Sequence, residues 1–70
     1  MKVVVNGEPR ELADAVTVAE LVAAEAPELA GGRGVAVAVD AEIVPRSEWP
    51  LRTLEAGQRV ELLAAMQGGA

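Results

Sequence analysis

Polar and apolar positions alternate in short runs along this chain. Lys2 to Asn6 is β-branched at its centre and favours an extended strand. Asn6-Gly7 follows at once, and because both residues tolerate a positive φ the pair predicts a tight hairpin turn. Glu8 to Leu12 reads as the return strand, with Pro9 near its start, where a missing donor costs little. Thr17 stands three residues before Glu20, the spacing of a capping box, and Val18, Leu21, Val22 and Glu25 continue at helical intervals. An amphipathic helix of about two to three turns is predicted there, closed by Pro27 because the residue before a proline avoids the α region. Gly31-Gly32-Arg33-Gly34 connects helix to strand. Val35-Ala36-Val37-Ala38-Val39 alternates with period two, large side chains on one face and small on the other. Asp40-Ala41-Glu42 turns the chain, Ile43-Val44 is a short extended piece ending at Pro45, and Ser47-Glu48-Trp49 reads as a turn or 3₁₀ segment. Glu55-Ala56-Gly57-Gln58 turns again, and Arg59 to Ala65 forms the last strand, with Val60 and Leu62 on one face and Glu61, Leu63 and Ala65 on the other.

The predicted order is therefore two strands, a helix, a strand, a short strand, an irregular segment and a final strand. One helix packed on one face of a mixed sheet of four to five strands is an α+β layer architecture. A first hairpin, a single helix and a long-range return strand suggest the β-grasp, or ubiquitin-like, fold, in which the last strand lies parallel to the first at the sheet centre. The expected core is Val3, Val5, Val18, Leu21, Val22, Val37, Val39, Leu54, Val60 and Leu62, with Trp49 packed at its edge. The expected domain spans residues 1–65, and residues 66–70 form a flexible tail.

Seventy residues make one small domain, and with no Cys and no His it has neither disulfide nor zinc to hold it together. The same absence removes a thiol nucleophile, an imidazole base and an iron–sulfur or other metal centre of that kind. No cofactor is expected. Six basic residues against eleven acidic give a net charge of −5, which argues against nucleic acid, and the single aromatic offers no stacking platform for bases. No segment approaches the roughly 20 apolar residues of a membrane span, and nothing at the N-terminus marks export, so a cytoplasmic location is expected. The glycines at 31, 32 and 34 do not form a phosphate cradle: the lysine-bearing P-loop pattern is missing and a strand-like run follows.

Chemistry remains possible at the chain end, Met66-Gln67-Gly68-Gly69-Ala70. A terminal carboxylate becomes reactive once its oxygen is made a leaving group, as in an acyl-adenylate. Glycine, without a Cβ, lets backbone pass through a narrow channel and close to an attacking sulfur. A Gly-Gly end on a compact domain can thus serve as an acyl arm with the domain as its handle.

The strand ending in Asn6-Gly7, the segment Ile43-Val44-Pro45-Arg46-Ser47-Glu48-Trp49, the turn Glu55-Ala56-Gly57-Gln58-Arg59-Val60 and the end Gln67-Gly68-Gly69 together resemble the thiamine-biosynthesis sulfur carrier (ThiS) family over essentially the whole chain. The middle segment discriminates most: related carriers, such as the small subunit of molybdopterin synthase, usually lack V-P-R-x-x-W. The resemblance implies adenylation of the terminal glycine by an E1-like enzyme, displacement by persulfide sulfur to a thiocarboxylate, and sulfur donation to thiazole synthase for the thiazole ring of thiamine. On this sequence the acyl carbon would be that of Gly69, with Gly68 behind it, and the chain would be a protein substrate rather than an enzyme. Members of the family end at the second glycine, whereas Ala70 follows here; a protease trims it, it is an added residue, or the carrier is degenerate. Asp40 stands where relatives often have Asn, and both suit a turn.

A sulfur carrier for molybdenum cofactor or cysteine synthesis would use the same chain end. A non-covalent ubiquitin-like binding module would not use it at all. For a carrier, Leu63, Ala65 and Met66, with Ala36 and Ala38 on the neighbouring strand, are the expected apolar docking surface for the adenylating enzyme, steered by acidic residues at its rim.

Overall fold

The hydrophobic alternation resolves into strands that share one buried face. In the computed structural model, which describes residues 1–29 and 34–64, β1 (Lys2–Val5) and β2 (Glu8–Glu11) form the opening hairpin. Helix α1 spans Val18–Glu25, and a 3₁₀ turn at Pro27–Leu29 follows where the proline ends the α conformation. β3 (Val35–Val39) and β4 (Glu42–Ile43) make a second hairpin, a 3₁₀ turn covers Arg46–Glu48, and β5 (Arg59–Ala64) closes the sheet. The five strands are ordered β2-β1-β5-β3-β4. β5 runs parallel to β1 and antiparallel to β3, so it occupies the centre as expected of a β-grasp. Ala65, expected as the strand's last residue, lies outside the described residues, as do residues 31–33 of the glycine loop.

Val3, Val5, Val37, Val39 and Val60 project from the sheet onto Val18, Leu21 and Val22 of α1, and Leu54 completes the cluster. Leu62 was expected among them. It packs against the cluster but stays only partly buried, because its strand position lies near the open end of the sheet. Val44 joins the core although it stands outside any strand. Trp49 is not at the edge but inside, 4 % exposed, and its Nε1 donates to the Val44 carbonyl oxygen at 3.0 Å. The pair explains the Val44-Pro45-x-x-x-Trp49 pattern: two buried side chains bracket a 3₁₀ turn, and the indole satisfies the carbonyl at its start.

The helix start is fully satisfied. Glu20 N–H donates to Thr17 Oγ1 at 3.1 Å and Thr17 N–H to Glu20 Oε1 at 2.9 Å, the reciprocal capping box read from the sequence. Val18 and Ala19 have no partner within the helix. Their N–H groups donate to the carbonyls of Arg52 and Trp49 at 2.9 and 3.1 Å. Residues 49–52 are thereby drawn to the helix N-terminus, where orphan donors attract carbonyl oxygens.

Candidate functional site

The central strand carries the chain toward its carboxyl end, so the site begins with how β5 is held. On the β3 side the ladder is regular from Val39↔Val60 to Val35↔Ala64. On the β1 side Val4 N–H donates to Gln58 O at 3.0 Å and Asn6 N–H to Val60 O at 2.9 Å. β1 then leaves the sheet through Asn6-Gly7, whose φ values are 51° and 83°. A continuing parallel ladder would next offer a backbone carbonyl to Leu62 N–H. The Asn6 side chain takes that place: Leu62 N–H donates to Oδ1 at 2.8 Å, and Nδ2 donates to Leu62 O at 3.4 Å. The carboxamide has the donor and acceptor of a peptide group and adds one rung where the backbone has turned away. Only one orientation of the amide fits, since the reverse would set NH₂ against N–H.

Register fixes which side chains cover the sheet face opposite α1. Glu61, Ala38 and Ile43 lie in one row and Leu63 and Ala36 in the next, with Val4 between Pro9 and Arg59 nearer β2. Leu63 is 56 % exposed and Ala36 is exposed. Ala38 is not available as expected. It is 6 % exposed, because a methyl group flanked across the ladder by Ile43 and Glu61 is shaded by longer side chains. Ile43, 67 % exposed, supplies the apolar surface in that row, and the sequence pattern did not single it out. Glu61 sets a carboxylate on the other side of Ala38. Ala65, Met66, Gly68 and Gly69 lie outside the described residues.

Two further side-chain roles escaped the sequence reading. Asp40 Oδ1 accepts from Arg59 N–H at 2.9 Å while Asp40 N–H donates to Arg59 O at 2.7 Å, tying the β3–β4 turn to the start of β5. Asn6 bridges 56 positions of sequence to reach Leu62. An Asn beside a Gly is fully explained by the turn alone, so the second role of its side chain left no separate signal. Among the described residues no group of His, Cys, Asp and Glu side chains is placed to hold a metal ion, and no helix is long and apolar enough to cross a membrane.

The ThiS family model matches residues 3–69. The chain belongs to the ThiS family. Two solved structures resemble it closely, both 32 % identical in sequence. One is a crystal structure of the thiamine biosynthesis protein ThiS from Geobacter metallireducens, with a TM-score of 0.79, covering 99 % of this chain and all of that one. The other is a solution structure of a thiamine biosynthesis protein from the same organism, with a TM-score of 0.77, covering all of this chain and 90 % of that one. No curated protein matches the chain. The matched span contains the Val44-Pro45-Arg46 and Trp49 segment, whose Val44 and Trp49 are both buried here.

Proposed function

We propose that this chain is the sulfur carrier of a thiamine-forming pathway and that it carries sulfur on the carboxyl group of Gly69. Family membership supports a small carrier protein in thiamine biosynthesis, not a catalyst. The observation that carries the finer reading is the extent of the family match, which includes Gly68 and Gly69 and stops before Ala70. On this reading a chain ending at Gly69 is the form that accepts sulfur.

The chemistry is supplied by partners. A carboxylate oxygen of Gly69 attacks the α-phosphorus of ATP in an E1-like adenylating enzyme, and pyrophosphate leaves. A persulfide sulfur attacks the acyl carbon, and AMP departs with the bonding pair of the broken C–O bond. A second thiol cleaves the sulfur–sulfur bond, forming a disulfide and leaving the thiocarboxylate on Gly69. Thiazole synthase accepts that sulfur. The domain itself contributes a handle. The exposed Leu63, Ala36 and Ile43 form the docking face, and Gly68, without a Cβ, would give a slim approach behind the acyl carbon.

The test supplies ATP, a persulfide donor and the adenylating enzyme to chains ending at Gly69 and at Ala70. The Gly69 form is expected to gain the mass of one oxygen replaced by sulfur, and the Ala70 form to stay unchanged. One extra residue displaces the carboxylate by about 3.3–3.6 Å, too far for an acyl-transfer site. Equal conversion of both forms refutes the role of trimming, and conversion of neither refutes the carrier reading.

A further inference from the structure

We propose that Asn6 is a positioning residue for activation of the chain end, a reading that rests on the carrier function proposed above. β1 stops pairing with β5 after Val60, where the hairpin turn carries the backbone away. Beyond that point β5 would be held on the β3 side alone. The Asn6 carboxamide bonds both polar groups of Leu62 and so extends two-sided anchoring by one rung. Leu62 precedes the exposed Leu63 of the docking face and is the last β5 residue that the β1 side holds. The clamp therefore fixes the strand where it passes from the sheet interior to the surface that meets a partner. Its position sets the origin and direction from which residues after Ala64 enter the adenylating enzyme.

Asn6 also occupies a left-handed turn position with φ of 51°, and a test has to separate the two roles. Glycine suits that backbone better than any other residue, so Asn6→Gly keeps the turn and removes the clamp. Asn6→Asp keeps an acceptor for Leu62 N–H, the shorter bond, and replaces the weaker donor by an oxygen. The two variants and the parent, all ending at Gly69, are compared in pyrophosphate release with the adenylating enzyme. Asn6→Gly is expected to lower kcat about tenfold with KM nearly unchanged, inside the ~100-fold loss that a 1 Å misplacement produces. Asn6→Asp is expected to fall between them. Amide exchange at Leu62 should accelerate in the same order, while exchange at Val3 and Val37 stays slow. A parent chain that accepts no adenylate overturns the carrier reading and this proposal with it. A parent that is adenylated beside an Asn6→Gly chain of equal kcat overturns the clamp alone. A rise in KM at constant kcat also overturns it, since that outcome marks Asn6 as a docking residue.

Discussion

Replacing Ala41 by Gly should stabilise the fold, although it removes a methyl group and adds no contact. Val39 pairs with Glu42, so Asp40 and Ala41 form a two-residue hairpin loop, and their φ values are 50° and 71°. Two left-handed residues in succession make the turn that matches strand twist, and it normally holds Asn or Asp followed by Gly. Asp40 meets that demand, and its side chain and N–H are tied to Arg59. Ala41 does not, and a Cβ in the left-handed region costs about 1–2 kcal/mol. Glycine relieves this cost but adds about 0.4–1 kcal/mol of unfolded-chain entropy, so the net gain is about 0.5–1 kcal/mol. In a domain of this size that raises the Tm by about 2–8 °C. Urea unfolding of Ala41→Gly followed by Trp49 fluorescence measures it, with Ala23→Gly as the control. Ala23 is an exposed residue inside α1, where the same exchange should cost about 1 kcal/mol. Opposite signs at the two sites support the argument. A destabilised Ala41→Gly would refute it, because the turn strain it rests on would then be absent. Ala15, with φ of 64°, is a second site of the same kind, and its gain should add to the first.

Leu63→Asp should leave thermal unfolding nearly unchanged, since the side chain is more than half exposed, and raise the KM of adenylation; an unchanged KM would remove Leu63 from the docking face. Trp49→Phe should lower stability by about 1–3 kcal/mol in denaturant unfolding, because the Val44 carbonyl loses its buried donor. Leu54→Ala should cost about 2–5 kcal/mol, more than the same truncation at the half-buried Leu62, and parallel urea titrations give that order directly.

The elements were legible where local chemistry decides them. Asn6-Gly7 marked the first turn, Thr17 and Glu20 marked the helix start, and the Val-Ala alternation marked β3 together with its buried face. The element order suggested a β-grasp, and the place of β5 beside β1 came with that fold instead of from any local pattern. What the sequence concealed depends on register between distant segments. Ala36 and Ala38 share a face and a composition, yet only Ala38 is buried, because the residues opposite it are Ile43 and Glu61. The clamp from Asn6 to Leu62 requires the exact rung at which a parallel pair ends, and no local pattern encodes that. Trp49 was placed near the core by its size, but its burial follows from α1 drawing the 49–52 carbonyls to its N-terminus.

The central place of β5 ties recognition to completeness. Without β5 the order β2-β1-β5-β3-β4 falls into two separate hairpins that share no edge. An isolated two-stranded hairpin is marginal in water, so neither half persists alone. During synthesis β5 is the last of these five strands to leave the ribosome, and it must insert between two strands made earlier. Its pairings with β1 span more than fifty residues, which makes closure a late event in folding. A chain broken before Arg59 therefore offers a partner no sheet face to recognise. On the proposed carrier reading, the surface offered to the adenylating enzyme comes into being together with the strand that leads to Gly69, so incomplete chains would not compete for activation.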